Sequence, residues 1–418
     1  MGDVMENTIK KNMSLYLKIW ILLQPIIDLI TGVFVHHNIP FTFGIFVRVI
    51  ALLLIMIITV FVYHKKSALY VYLALSIYCI LYLIGIIVYK DGGLFKELQG
   101  LLKVIYYPVL LFSLYSIKDE IKIELNTLYT TFIIYILCIF IPTILGIGYK
   151  TYEVTKTGQL GFFNSANEVG GIISILTPVL FIKLKEKKKL FLQIAFLGIY
   201  LITILNMGTK TPLLSLVITI GFVFLYLIVE SIKKKQYKLL SAFVATVIVL
   251  VTAVIILLPK TNFYKNIRVH LDYLGVDHVT DVFQEFNLVD HFIFSQRLTF
   301  LSDEKYLYDQ CGLYQKAVGR GYLDNGEDTK MIEMDYFDVY FHHGPLGFLL
   351  VFGIYGYVLI KLIKGRGKYS FERLMIYIST FLILILSLFS GHILIAPSVN
   401  IVVVCILLLI AKKELQNT

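Results

Sequence analysis

The stretch Ile332–Gly347, IEMDYFDVYFHHGPLG, sets three carboxylates (Glu333, Asp335, Asp338) and two histidines (His342, His343) against the start of a strongly apolar run. Read as a helix from Asp335, the spacing predicts Asp335, Asp338 and His342 on one face, at i, i+3 and i+7. Tyr336, Phe337, Tyr340 and Phe341 spread over the rest, and Glu333 falls on the aromatic side or just before the helix begins. Gly344 and Pro345 end this helix or kink it into the next one. Three chemistries compete for such a set. One is the solvated face of an interfacial helix, the default for the pattern. Another is a divalent-metal site from Asp, Asp and His, which spacing alone does not select. The third is a general base, since a carboxylate beside aromatic rings has its charged form disfavoured and gains basicity. A base of this kind needs an anion-binding site nearby.

The elements that must hold these residues are membrane helices. The chain has 418 residues, of which 58% are hydrophobic and 16% charged, with a mean hydropathy of +0.80. A soluble core cannot use that much apolar surface, so the predicted class is an all-α polytopic membrane protein. Apolar runs long enough for a hydrocarbon core of ~30 Å recur at about twelve places: 15–35, 43–63, 68–88, 101–116, 127–148, 168–182, 190–206, 212–231, 239–258, 345–362, 374–390 and 397–411. The basic stretches at His64, Lys183, Lys233, Lys364 and Lys412, with Lys10 and Lys11, all fall on one side. The short loops at His36 and Ser390 carry no Lys or Arg. By the positive-inside rule both termini are cytoplasmic in a plasma membrane. The chain then divides into an N-terminal bundle of about nine spans (1–258), a large extracytoplasmic loop (259–343) and a C-terminal bundle of about three spans (344–418).

The loop segment HVTDVFQEFNLVDHFIFSQRLTF mixes polar and aromatic residues as amphipathic helices lying on a membrane do. Its length argues for function. No internal repeat relates the two halves of the chain. The first segment is too long for a signal peptide and lacks a small-residue cleavage site, so it reads as a retained helix. The four cysteines show no CxxC and give neither a disulfide framework nor a zinc site. The net charge of +10 lies in short loops and is a topology signal, which excludes a nucleic-acid face.

This topology gathers ionisable residues toward the outer leaflet. Asp28 lies in the outward half of the first span, and Arg48 about one turn into the second. Lys103 and Lys210 sit at the outer starts of their spans, and Arg297 and Arg320 lie in the outer loop. Individually, these residues snorkel to the interface, or Asp28 and Arg48 form a structural pair. Together, several cations at one depth suit an anion held at the outer surface, and a lipid diphosphate fits. Asn164, Asn167 and Glu168 open the sixth span in GQLGFFNSANEVGG. A helix cap followed by close packing at Gly170 and Gly171 suffices for that segment, and hydrogen bonds to sugar hydroxyls are its functional reading.

On these residues the sequence resembles the O-antigen ligase and Wzy-type polysaccharide polymerase family, over nearly the whole chain. GFFNSANEVGG resembles the family's Gly-x-Phe-Asn-x-Asn segment, and GTKTPLL its Ser/Thr-x-x-Arg-x-x-Leu segment. SQRLTF resembles the Arg-bearing segment of the large loop, and EMDYFDVYFHHGPLGF the closing His-Asn-x-x-Leu segment with its Gly-x-x-Gly lead into the next span. Lys210 stands where many members have Arg, keeping the charge without the bidentate fork. Glu333 stands where many have the loop histidine, a place that His342 and His343 do not occupy. The pattern EMDxxD is similar to the branch found in low-GC Gram-positive bacteria, which implies a capsule, exopolysaccharide or teichuronic-type polymer.

The resemblance implies inverting transfer from an undecaprenyl-diphosphate-linked oligosaccharide to a glycan acceptor, with no nucleotide sugar, metal or other cofactor. Membrane lipid and other polysaccharide-assembly proteins are the implied partners. Arg297 and Lys210 would hold the diphosphate, supported by Arg48, Arg320 and Lys103. Glu333 or Asp335 would be the base, and Asn164, Asn167, Glu168 and Asp338 would contact sugar. Two other classes compete: a lipid-linked oligosaccharide flippase, expected to carry cations through mid-bilayer and often to show repeated halves, and a non-catalytic partner that binds lipid-linked sugar.

Overall fold

A backbone in lipid must satisfy its own hydrogen bonds, so apolar runs of this length become helices. The computed structural model describes residues 2–39, 41–89, 93–152, 156–186, 190–235, 237–324, 327–328, 330–364 and 370–411. In chain order come α1 (Gly2–His36), α2 (Phe43–Ile57, continued by a π-turn to Val62), α3 (Lys66–Tyr89), α4 (Leu94–Ser116) and α5 (Leu125–Leu145). They are followed by α6 (Ala166–Lys185), α7 (Leu190–Met207), α8 (Thr211–Lys234) and α9 (Lys238–Leu257). Four helices, α10 (Asn262–Leu274), α11 (Phe286–Val289), α12 (Arg297–Asp309) and α13 (Leu313–Val318), come next. A small antiparallel hairpin of β1 (Leu323–Asp324) and β2 (Glu327–Asp328) follows them. α14 (Asp335–Lys364), α15 (Phe371–Phe389) and α16 (Pro397–Ile410) complete the chain.

All twelve apolar runs of the sequence are helical, but they are not alike. Among the described residues, nine helices are long and apolar enough to cross a membrane, namely α1–α6, α8, α14 and α15, while α16 is shorter, at 14 residues. α16 is nevertheless buried from Ser398 to Ile410, the expected place for a helix apolar on every side. α6 is its equal at the centre, packed against α5, α8, α15 and α16. Gly171 permits this: a Cβ there would lie 2.5 Å from the Ile393 side chain. Parts of the basic stretches that orient the chain (187–189, 365–369 and 412–418) lie outside the described residues.

Two features shape the segment between α9 and α14. The amphipathic helix that forms is α10, with Asn266, His270 and Leu271 on its buried face. The His278–Phe300 stretch, expected to be amphipathic helix, breaks instead into a 3-10 turn, α11, a π-turn and the start of α12. Ser295 and Gln296 adopt left-handed backbone (φ 56° and 66°) and interrupt it. The second feature is the bend in α14 at Gly344 (φ 64°, ψ 174°), just before Pro345, as the Gly-Pro pair led one to expect. The bend receives the end of α13, since a Cβ on Gly344 would lie 2.5 Å from the Ala317 carbonyl oxygen.

Candidate functional site

The carboxylates of the 332–347 stretch divide their work. Asp335 is fully buried and accepts three backbone N–H bonds, from His392 (2.6 Å), Ile393 (3.0 Å) and Leu394 (2.7 Å). It pins the loop between α15 and α16. Asp338 accepts from the N–H groups of Ile332 and Met334, both at 2.9 Å. Those two donors flank Glu333, which is left bulged out at φ 60°. Gly391 packs on that bulge, where any Cβ would come within 2.3 Å of the Glu333 carbonyl oxygen. Asp335 and Asp338 are therefore scaffolding, engaged by backbone and closed to a substrate. Glu333 is the carboxylate they present, with about a third of its side chain exposed (34%).

Glu333 meets Arg297. The Arg297 Nη2 donates to Glu333 Oε2 at 2.9 Å, and its Nη1 to the Phe389 carbonyl at 2.9 Å. Its Nε is buried without a partner. Arg297 opens α12, whose first turn is fixed by the buried Asp290. That carboxylate accepts from Leu298 N (3.0 Å), Thr299 N (3.0 Å) and Thr299 Oγ1 (2.8 Å), the usual favourable place for an anion.

Arg297 also lines a cavity of about 360 Å³ between α6, α8, α10 and α15, with Lys156, Lys210, His270, Asn167 and Ser390 among its walls. Three cations thus converge on one space. Lys210, at the head of α8, lines this cavity, donates to the Phe292 carbonyl and lies 4.4 Å from the Phe292 ring centre. Lys156 lies 5.7 Å from the Tyr152 ring centre. Burial, reinforced by Lys156 and Arg297, pushes the Lys210 ammonium down to about 8. Burial also lowers Lys156. His270 is pushed down to about 4 by burial and then by Lys156, Lys210 and His291, so its ring is neutral near pH 7. Such mutual repulsion among cations would be relieved by negative charge placed between them.

The other residues singled out in the sequence lie elsewhere. Arg48 does not reach this cavity. It donates to Gln24 Oε1 (3.1 and 2.9 Å) and to Asp28 Oδ1 (2.5 Å), and Tyr135 completes the group by donating to Asp28 at 2.6 Å. This is a buried ion pair joining α1, α2 and α5. Arg320 is likewise spent on Glu304, through Nε and through Nη2 at 2.7 Å, with His342 Nδ1 3.3 Å from the same carboxylate. Lys103 lines a second, smaller cavity of about 130 Å³ with Lys96, Glu168 and His392. Glu168 accepts from Ser398 Oγ, while Ser165 caps α6. Asn164 is exposed just before that cap and Asn167 reaches the main cavity. Among the described residues, no three of His, Cys, Asp and Glu are grouped as metal ligands would be.

Lys156, His270 and Asn266 were not singled out by sequence reading. Asn266 clamps the site: its Oδ1 accepts from Thr157 N (2.7 Å), and its Nδ2 donates to the carbonyls of Thr157 (2.6 Å) and Gly208 (3.0 Å). The available signal was the i, i+4 spacing of Asn266 and His270 on the polar side of α10.

Residues 10–281 and 284–415 match a family model described as O-antigen ligase like membrane protein. No curated protein and no solved structure matches the chain.

Proposed function

Because this chain belongs to the O-antigen ligase-like family of membrane proteins, we propose that it transfers an oligosaccharide from a polyprenyl diphosphate, of the undecaprenyl type, to a glycan acceptor at the outer face of the plasma membrane. It acts as a polymerase or ligase of surface polysaccharide. The observation that carries this is the convergence of Lys156, Lys210 and Arg297 on one cavity, with Glu333 joined to it through Arg297. A diphosphate diester brings two negative charges. Arg297 is already paired with Glu333, so Lys156 and Lys210 supply two cations to match them. Arg297 lines the same cavity and adds its charge.

In the transfer, the acceptor hydroxyl oxygen attacks the anomeric carbon. Its proton passes to the Glu333 carboxylate as the new C–O bond forms. The bond from that carbon to the phosphate oxygen breaks, and its electron pair leaves on the lipid diphosphate. Charge grows on that leaving oxygen, where preorganised cations stabilise the transition state more than the ground state. A phosphate leaving group needs no proton, so one base suffices. Asn167, which lines the same cavity, would hydrogen-bond a sugar hydroxyl. The cations cluster at the cavity, and the buried pair Arg48–Asp28 is locked, which favours transfer over a flippase path.

The direct test is Arg297→Ala. It is expected to abolish polymer while the protein still inserts in the membrane. Polymer of normal length and amount from that variant would refute the proposal.

A further inference from the structure

One side chain of the cavity has no part in that scheme. His270 lies one helical turn beyond Asn266 on α10. It is 7% exposed, its ring centre is 5.2 Å from that of Phe292, and its Nδ1 is buried with no hydrogen-bond partner. An unpaired buried polar nitrogen is costly, and the residue that carries it lines the cavity of about 360 Å³. The charged and titratable groups that act on the imidazole come from three other elements. They are Lys156 from the loop before α6, Lys210 at the head of α8 and His291 from the π-turn. Burial and these neighbours hold the ring neutral while the cavity is empty.

A phosphate oxygen only accepts hydrogen bonds. A neutral imidazole meets it with one N–H at best, and with a repelling lone pair on the other nitrogen. An imidazolium donates from both. A dianion placed between Lys156 and Lys210 also cancels the field that opposes protonation of His270. On the reading that this cavity holds a diphosphate, we propose that His270 is a ligand of that diphosphate and takes up a proton from solvent as it binds. The site then gains a further cation only when the donor is present. As the product leaves, the proton is released and the ring returns to its neutral form, so repulsion between cations in the empty cavity stays low.

Proton uptake is measurable without turnover. The probe is farnesyl diphosphate esterified to glucose, a diester with no phosphate group that titrates in the relevant range. Binding to the full-length protein in nanodiscs is followed by calorimetry at pH 6 in two buffers of different ionisation enthalpy. At that pH Lys210 is already fully charged and contributes nothing. An imidazole restored to its ordinary range should take up roughly three quarters of a proton. The uptake should vanish in His270→Gln and persist in His291→Gln. A ring-nitrogen resonance of wild-type protein that moves to the imidazolium position on binding gives the same answer if His270→Gln fails to fold. Binding without uptake, or uptake that survives His270→Gln, overturns the role of His270 and leaves the diphosphate site standing. Failure of the probe to bind at all overturns the diphosphate reading itself, and His270's role with it.

Discussion

At the scale of single residues, the site separates acids that build from the acid proposed to react. Asp335 and Asp338 accept five backbone N–H bonds between them, and Glu333 is what those bonds push out toward Arg297. Glu333→Gln keeps an oxygen for Arg297 but removes the proton acceptor. It is expected to lower kcat by roughly 10²–10⁴-fold with donor affinity little changed; a variant that turns over normally would end Glu333's role as base. Asp335→Asn should instead show itself in thermal stability, because hydrogen bonds to a buried charge contribute about 1.5–3 kcal/mol. The cations give a pH signature of known sign. A lysine is charged below its pKa, so as pH rises through about 8 Lys210 loses its charge and the empty cavity loses attraction for an anion. Donor affinity should therefore fall between pH 7 and 9. A guanidinium stays charged throughout this range, so Lys210→Arg should flatten the fall. An equally steep fall in that variant would locate the titration elsewhere.

At the scale of elements, α12 is the part that aims the site. Arg297 and Glu304 are seven residues apart and share a face. Glu304 is locked to Arg320 and lies beside His342 of α14. Breaking a buried pair by removing one partner costs about 3–5 kcal/mol, so Glu304→Ala should lower the melting temperature and activity together. Arg297→Lys should lower activity alone, since it keeps the charge but loses the fork that spans Glu333 and the Phe389 carbonyl. Melting curves and turnover measured on the same preparations separate the two effects. The elements themselves were readable because lipid admits few backbone solutions: each apolar run became a helix, and Gly344-Pro345 bent one. The broken 278–300 stretch was not, because side-chain composition does not reveal that Ser295 and Gln296 turn left-handed while Asp290 reaches forward eight residues. The site was readable only in part for the same reason. Charge type and order singled out Lys210, Arg297 and Glu333, which the fold brings together. Arg48, Arg320 and Lys103 carry the same charge in sequence; the Asp28–Arg48 pair is one of the readings open there and is the one that forms, whereas only tertiary structure shows that Glu304 occupies Arg320 and that Lys103 faces another cavity. Asn266 and His270 belong to α10, and Lys156 to the loop before α6, and they share a cavity only once α10 docks against Thr157 and Gly208.

At the scale of the whole molecule, the ends of the helices carry the argument for sidedness. α6 begins at the main cavity with Asn167 and ends at Lys183 and Lys185. α8 begins there with Lys210 at its cap and ends at Lys233 and Lys234. At 1.5 Å per residue the 24 residues of α8 set these ends about 36 Å apart, enough to cross a bilayer core of ~30 Å. α15 runs the other way, from Phe371 to the cavity at Phe389. Three helices therefore agree in placing the cationic cavity at the end opposite the lysine-rich ends, which the positive-inside rule predicts to be cytoplasmic. A donor displayed on the outer leaflet can reach the cavity only if that orientation holds. Leu313 at the start of α13 is 88% exposed, and Lys234 has 61% of its side chain exposed at the other end. With Cys79, Cys138, Cys311 and Cys405 replaced by serine, Leu313→Cys should react with a membrane-impermeant maleimide in intact cells. Lys234→Cys should react only after lysis. The reverse pattern would put Arg297 and Glu333 in the cytoplasm, out of reach of any saccharide presented outside, and transfer at the outer face would be physically impossible for this chain.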